Sequence, residues 1–246
     1  MAADMTPLAL VYTSGGKFDR RYVGALLAQV MYWRNPAFLV LVTDTPELGD
    51  DIEGQFGLQT VVIEARYPSF WAKLQLWSLP YERLVYIDLD SYVVSDPAPL
   101  FEHGPACCPD LLYEHSTAVM VIEYDSSASR QMQVLTPRRG EFGSDQPMLD
   151  LVKPSYPYLP GRWCRSIKEL SREFCCTWPD RPPGIGSPGR WKPKNPHYDD
   201  TGRPIVVNFH GQTRPDNTLT LPQDAPPWLR DAHRRWWMAY DRKAKQ

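Results

Sequence analysis

The sequence predicts an α/β fold in which helices cover both faces of a mostly parallel sheet. Short apolar runs rich in β-forming residues alternate with segments of helical periodicity, beginning with LALVYT at 8–13 and RRYVGALLAQVMYW at 20–33. Strands separated in this way need crossover connections, which give parallel pairing. Asp44, Asp88 and Asp90 end such apolar runs, so they would lie at the carboxyl edge of the sheet, where ligands bind in such folds.

The elements of the first half follow in order from their apolar patterns. The strand at 8–13 ends at the glycine-containing loop SGGKFD (14–19), which leads into the first helix. The next elements, in chain order, are strands at 37–44 and 60–65, a helix at 70–79 and a strand at 83–90.

The second half places further elements around a long irregular segment. These elements are strands at 91–96 and 117–124, a helix at 144–152 with Ser144 as a candidate N-cap, a strand at 204–211 and a closing helix at 226–243. Residues 176–204 are dense in proline, glycine and charge and have no periodicity, so we predict a binding loop or lid there.

Length and composition predict one globular domain over residues 1–246. Hydrophobic residues make up 43% of the chain and charged residues 23%, which excludes a largely disordered protein. The formal charge of −2 provides no basic field for nucleic acid, and no run approaches the ~18 apolar residues of a membrane span. Because the amino terminus also lacks the pattern of an export signal, we expect a cytoplasmic protein without a membrane span or a nucleic-acid partner.

The segment RLVYIDLD (83–90) carries two carboxylates at the end of an otherwise buried strand. Strand alternation directs Asp88 and Asp90 to the same side, whereas Leu89 packs the other way. Two neighbouring carboxylates repel each other unless a cation lies between them, and Mg²⁺ or Mn²⁺ prefers such oxygen ligands. The alternative is that the aspartates cap a neighbouring turn or helix.

The surroundings of these aspartates resemble the glycogenin-like family 8 glycosyltransferases and their bacterial and viral relatives. Residues 73–101, KLQLWSLPYERLVYIDLDSYVVSDPAPLF, are similar to the family's stretch from a helix lysine through D-x-D to D-P-x-x-L-F. Three more segments follow in the family's order: STAVMVIEY (116–124), GSDQPMLD (143–150) and VVNFHGQTRP (206–215). The resemblance implies a GT-A fold with a Rossmann-like sheet, a small antiparallel element and irregular loops on the acceptor side.

The same resemblance implies a metal site that binds the donor's diphosphate. Asp88 and Asp90 would hold Mn²⁺, or Mg²⁺, against a nucleoside diphosphate. The family's third ligand is the first histidine of H-F-x-G, a position that is Asn208 here. His210 lies two residues later and faces the same side by strand alternation, so we favour His210 as the ligand and keep Asn208 as a lesser candidate.

Further residues are assigned to the donor by their match to the family. Lys73 corresponds to the helix lysine near the donor sugar and phosphates, and Arg214 replaces the family's lysine at the diphosphate. Gly211 would allow close approach of the backbone, and Leu89 is included among the nucleotide contacts. Without the resemblance, Lys73 could equally be a solvated helix residue.

At the nucleoside end, the loops after the first two strands match the family's base and ribose contacts. Thr13 would bond the base through its backbone or hydroxyl, Asp44 would accept from a base N–H or a ribose hydroxyl, and Tyr22 could stack on the base. Tyr22 also fits plain packing within its helix.

The resemblance implies transfer of a hexose from a nucleotide sugar, with a UDP-sugar as the expected donor, and retention at the anomeric carbon. Asp145 would bind donor-sugar hydroxyls, and Gln146 would lie near the anomeric face; the alternative for Asp145 is a favourable charge at a helix N-terminus. The acceptor, a glycan or another molecule, is left open. Two other functions are also open: a sugar-phosphate nucleotidyltransferase, or an inactive binder of nucleotide sugars or glycans with the same fold.

Overall fold

The computed structural model describes residues 6–109, 115–152, 156–167, 170, 203–209, 215–217, 221 and 225–241. The strands in these residues are β1 (Leu8–Tyr12), β2 (Leu39–Thr43), β3 (Thr60–Glu64), β4 (Leu84–Ile87), β5 (Ser91–Val93), β6 (Ala106–Pro109), β7 (His115–Ile122), β8 (Cys164–Ser166) and β9 (Val206–Asn208). The α-helices are α1 (Arg21–Trp33), α2 (Glu47–Phe56), α3 (Ala98–Glu102), α4 (Ser127–Leu135), α5 (Asp145–Val152) and α6 (Pro227–Asp241). The 3₁₀ segments are η1 (Ser69–Ser78), η2 (Thr136–Glu141), η3 (Gly161–Trp163) and η4 (Pro215–Asn217).

Six strands form the central sheet in the order β3-β2-β1-β4-β7-β6. The first four of these run parallel, β7 pairs antiparallel with β4, and β6 pairs antiparallel with β7. The predicted α/β class with a mostly parallel sheet is therefore confirmed. Since β2 lies on one side of β1 and β4 on the other, the strand order reverses at β1, and a crevice opens beyond the carboxyl ends of these strands.

Both faces of the central sheet are buried because its strands carry apolar side chains on each face. Leu8 and Leu10 of β1 pack on the side of α1 and α6, whereas Ala9 packs on the side of η1, α4 and α5. The amide of Gln29 joins elements on the first side, since it donates to the Ala232 carbonyl at 3.0 Å and accepts from the Val93 amide at 2.6 Å. This scaffold fixes the positions at which β1 and β4 end.

A small second sheet connects the centre of the chain to its carboxy-terminal part. Its order is β5-β9-β8, with β5 antiparallel to β9 and β8 parallel to β9. Ser91 pairs with Asn208 in this register. The small antiparallel element expected from the family resemblance is thus present, and it places residues 206–209 directly beside the segment after β4.

The structure differs from the sequence expectations in several elements. The strand expected at 83–90 ends at Ile87, so Asp88 and Asp90 lie in the connection to β5. The helix expected at 70–79 is the 3₁₀ segment η1, which starts after the extended Pro68 and stops before Pro80. Helices α2, α3 and α4 and strands β6 and β8 were not predicted. The segment expected to form a loop at 176–204 lies outside the described residues apart from its last two.

In the part of the chain that the structure describes, no helix has both the length and the apolar character that a membrane crossing requires. The longest described helix, α6, carries several arginines and buries Trp236 and Tyr240 against the core.

Candidate functional site

A cleft of about 200 Å³ opens at the point where the strand order reverses. Three segments line it: the end of β1 with the following loop, the first turn of η1, and the end of β4 with residues 88–90. Because each segment leaves an element of the rigid scaffold, the side chains that they present are held in fixed relative positions.

Asp88 follows β4 and accepts hydrogen bonds from two sides. Its backbone amide donates to the Ala118 carbonyl at 2.8 Å, which extends the β4–β7 pairing by one residue. Its Oδ1 accepts a short hydrogen bond from the Tyr86 hydroxyl and lies 3.2 Å from Lys73 Nζ. Tyr86 lies two residues earlier on the same face of the strand, so strand alternation produces this contact.

Lys73 connects three elements through its ammonium group. It lies 3.1 Å from Asp145 Oδ2 in an ion pair and donates to Thr117 Oγ1 at 3.2 Å, in addition to its contact with Asp88. The residue is only 7% exposed, which excludes the solvated position considered from the sequence. Burial alone would lower the pKa of Lys73, but the charges of Asp145 and Asp88 outweigh it and raise the pKa well above its ordinary value. The lysine is therefore charged at any physiological pH.

Asp90, in the connection after β4, is almost wholly buried, at 5% exposure. Its Oδ2 accepts from Lys17 Nζ at 3.0 Å, and its Oδ1 lies 3.5 Å from Asn208 Nδ2. Burial, followed by the charge of Asp88, raises the pKa of Asp90 from 3.8 to about 6, while Lys17 and Lys73 oppose the shift. The two lysines thus offset only part of the cost of placing these carboxylates together.

Asn208 is brought to Asp90 by the pairing of β5 with β9. The Phe209 amide donates to the Asp90 carbonyl at 2.9 Å, and Asn208 Nδ2 donates to Ser91 Oγ at 3.1 Å. The lesser candidate for the third metal ligand is therefore beside Asp90. His210, Gly211 and Arg214 lie outside the described residues, and their roles stay predictions.

The residues present fit a hard divalent cation. Two carboxylates and a carboxamide supply oxygen donors of the kind that Mg²⁺ and Mn²⁺ prefer. Burial and then the charge of Asp88 raise the pKa of Asp90, and the described lysines offset these effects only in part. Among the described residues, no group of three or more histidine, cysteine, aspartate or glutamate side chains is placed to hold a metal ion. A third ligand of these types would have to come from outside those residues, as His210 would.

The loops after β1 and β2, which the sequence predicts to bind a nucleoside, are joined by a direct contact. Asp44 accepts from the Ser14 amide at 2.7 Å and from the Ser14 hydroxyl at 2.9 Å. Although burial opposes it, these hydrogen bonds lower the pKa of Asp44 below its ordinary value. Thr13, buried at the end of β1, lines the cleft, as does Leu89, whose side chain packs in the core. Asp44 therefore fixes the loop that follows Thr13, whatever it contributes to a ligand.

Tyr22 does not lie in the cleft, and the prediction that it stacks on a base is wrong. The ring is 1% exposed and packs between Phe18, Trp236 and Tyr240, with ring centroids 4.8 to 5.6 Å apart. The helical position of Tyr22 faces α6, so the apolar packing considered as the alternative is its role.

Asp145 and Gln146, the candidate catalytic pair, begin helix α5. Asp145 is buried and shares Lys73 with Asp88, so it belongs to the same charged group as the residues after β4. Gln146 follows it in the first turn. A carboxylate in the first turn is also favoured by the partial positive charge at a helix N-terminus.

Three residues of this site were missed from the sequence. Lys17 contacts Asp90, Tyr86 contacts Asp88, and Thr117 contacts Lys73. Tyr86 could have been found from strand alternation, since it precedes Asp88 by two positions. Lys17 lies in the loop after β1, where the strand order reverses, but only the fold shows which carboxylate it meets.

No family model and no curated protein matches this sequence. Solved structures do match it. The glycosyltransferase GlyE of Streptococcus pneumoniae TIGR4 superposes with a TM-score of 0.65 at 14% identity, over 98% of this chain but 63% of GlyE. The galactosyltransferase LgtC, solved with donor and acceptor sugar analogs, gives 0.63 at 12% identity over 96% of both chains.

Mouse xyloside xylosyltransferase 1 gives a TM-score of 0.53 at 14% identity, over 84% of this chain and 97% of that protein. All three likenesses are far below the identity at which activity could be transferred, but together they establish the fold. The chain has the GT-A fold that these glycosyltransferases share, and the fold implied by the sequence resemblance is confirmed.

Proposed function

We propose that this chain is a metal-dependent glycosyltransferase that moves a hexose from a nucleotide sugar to a glycan or other acceptor, with retention at the anomeric carbon. One observation carries the proposal: Asp88, Asp90, Lys73 and Asp145 meet at the strand reversal of a GT-A fold. A UDP-sugar is the expected donor. We further propose that residues 1–246 form a single domain that acts in the cytoplasm.

The proposed metal is Mn²⁺ or Mg²⁺, held by Asp88 and Asp90 with His210 as the favoured third ligand and Asn208 as the lesser candidate. When bound, the divalent ion supplies positive charge at the leaving nucleoside diphosphate. Arg214 is proposed to bind the same diphosphate through its guanidinium, and Gly211 to allow close approach.

The chain's own residues would organise the donor sugar by fixed charge. Lys73 is held between Asp88 and Asp145, so it sets the position of both carboxylates before any substrate binds. Asp145 is proposed to accept hydrogen bonds from the sugar hydroxyls, which would place the anomeric carbon near Gln146. Charges that are already oriented in a buried site need no reorganisation during reaction, and this favours a transition state with a developing diphosphate charge.

The proposal predicts that nucleotide sugars stabilise the protein only when Mn²⁺ is present. A ligand that binds only the folded state raises the melting temperature, and the stabilisation grows with the logarithm of the ligand concentration relative to its Kd. Thermal unfolding should be measured with UDP-sugars and GDP-sugars, each with and without MnCl₂, followed by assay of nucleoside diphosphate release. We expect the UDP-sugars with Mn²⁺ to give the largest increase in melting temperature. We also expect them to be hydrolysed slowly, with release of UDP.

Other results would support the competing functions. Release of pyrophosphate from a nucleoside triphosphate and a sugar phosphate would identify a nucleotidyltransferase. Stabilisation by nucleotide sugars or glycans with no turnover at any metal concentration would identify an inactive binder.

The third metal ligand can be tested by a matched pair of alanine variants. We expect His210→Ala to weaken Mn²⁺ binding by roughly tenfold or more, as loss of a direct ligand does. We expect a smaller loss for Asn208→Ala, since Asn208 is engaged with Ser91 and Asp90. Mn²⁺ affinity should be measured by electron paramagnetic resonance of the free ion. The reverse order of effects would assign the ligand to Asn208.

A further inference from the structure

Lys17 is the second lysine that lines the cleft, and it differs from Lys73 in its exposure to solvent. Its Nζ lies 3.0 Å from Asp90 Oδ2 and 4.9 Å from the centroid of the Phe18 ring. The Lys17 side chain is 39% exposed, whereas that of Asp90 is 8% exposed. A lysine with this exposure can leave its partner at small cost, because water solvates the ammonium and the side chain regains conformational freedom.

The charges of the cleft show why Lys17 is there. Asp88, Asp90 and Asp145 are paired with Lys17 and Lys73, which leaves one net negative charge among these five residues. Lys73 is buried between two carboxylates, and its departure would leave both of them without a counter-charge. Lys17 contacts Asp90 alone among these three carboxylates, so it is the cation that an incoming divalent ion would displace.

The loop that carries Lys17 is fixed at its base, so the displaced side chain stays at the cleft. Gly15 has φ of 70°, a left-handed conformation that favours glycine. A Cβ on Gly16 would lie 2.9 Å from the Thr13 carbonyl oxygen, so the turn is closed too tightly for a larger residue. With Ser14 held by Asp44, the backbone at Lys17 is anchored while its long side chain keeps several rotatable bonds.

We propose that Lys17 is a displaceable counter-ion: it neutralises Asp90 before donor binding, and it binds the donor's diphosphate once a divalent cation has taken that carboxylate. This inference rests on the proposed function. An ammonium and a divalent cation repel each other at the same carboxylate, so occupation by the metal releases Lys17. The diphosphate brings two negative charges to the cleft, and the released ammonium is within reach of them.

This exchange predicts effects of opposite sign on two ligands. In Lys17→Met the metal no longer competes with an ammonium, so Mn²⁺ alone should bind roughly 3- to 10-fold more tightly. UDP at saturating Mn²⁺ should bind roughly tenfold more weakly, because one cation of the diphosphate site is gone. Mn²⁺ binding is measured by electron paramagnetic resonance and UDP binding by calorimetry, both at pH 7.5.

Arg20→Met is the matched control, since Arg20 is an exposed cation of the same loop that pairs with Asp51 away from the cleft. We expect it to change neither affinity. Lys17→Gln retains a hydrogen-bond donor without the charge and should behave like Lys17→Met. If the Lys17 variants bind Mn²⁺ and UDP as the wild type does, or bind both ligands more weakly, the inference is overturned and the proposed function stays intact. A wild-type protein that binds neither Mn²⁺ nor UDP would overturn both.

Discussion

Replacing Lys73 with methionine is expected to destabilise the protein by about 3–5 kcal/mol, the usual effect of breaking a buried ion pair from one side. Methionine fills a similar volume and leaves little cavity, so the loss would come from charge. Asp145 and Asp88 would face each other across an apolar side chain, with Asp145 almost wholly buried. Urea unfolding at pH 7.5 gives the free energy of unfolding directly.

Two comparisons make the Lys73 result specific. Arg138→Met removes a cation from an exposed pair with Glu141 and should leave the free energy of unfolding nearly unchanged, because water screens the pair. The double variant Lys73→Met, Asp145→Asn should recover much of the loss, because only one carboxylate is then left without its lysine. A loss below about 1 kcal/mol for Lys73→Met would contradict the role given to this residue.

Asp90→Asn is expected to abolish function while it stabilises the fold. The variant should lose Mn²⁺ binding, because a proposed ligand of the metal is removed. Turnover should fall by a factor on the order of 10²–10³ or more, because the metal would stabilise the charge that develops in the transition state. Without metal, the folded state of the wild type raises the pKa of Asp90 from 3.8 to about 6. That difference corresponds to about 3 kcal/mol of destabilisation above pH 6, which asparagine would remove.

The sign of the pH dependence follows from the raised pKa of Asp90. Between about pH 4 and pH 6 the folded state binds more protons at Asp90 than the unfolded state does, so this group lowers stability as pH rises through that window. The stability gain of Asp90→Asn should therefore be full above pH 6 and absent below pH 4. Thermal unfolding of both proteins in EDTA at pH 4.0 and 7.5 measures it. A variant that is less stable than the wild type at pH 7.5 would contradict this account.

The sheet could be predicted because its strands carry the signal locally. The apolar runs of β1, β2 and β4 are continuous, as buried parallel strands require, and their order along the chain implies the crossovers. Helix α2 was missed although Leu48 and Ile52 lie four positions apart, because the acidic residues around them hide the short apolar face. The 3₁₀ form of η1 is set by the prolines on either side and by packing, not by periodicity.

The candidate site was predicted only in part, because a local pattern does not show which distant residues come into contact. The strand pattern pointed to Asp88 and Asp90, the family resemblance added Lys73 and Asp145, and the structure brings these four together. Spacing alone could not have joined Asp145 to Lys73, which are distant in the chain. Tyr22 was misassigned because a helical pattern shows that a face is buried but not which neighbour covers it. Lys17 was overlooked because its partner, Asp90, is 73 residues away.

The pairing of Ser91 with Asn208 has a consequence for synthesis on the ribosome. The two residues that meet there are 117 positions apart, so a nascent chain can complete the central strands long before the last side of the cleft arrives. Until residues 206–209 leave the exit tunnel and add to β5, Asp90 lacks its neighbours on that side. The surroundings of Asp90 would thus be completed only after residues 206–209 have been made, when the central strands can already have folded.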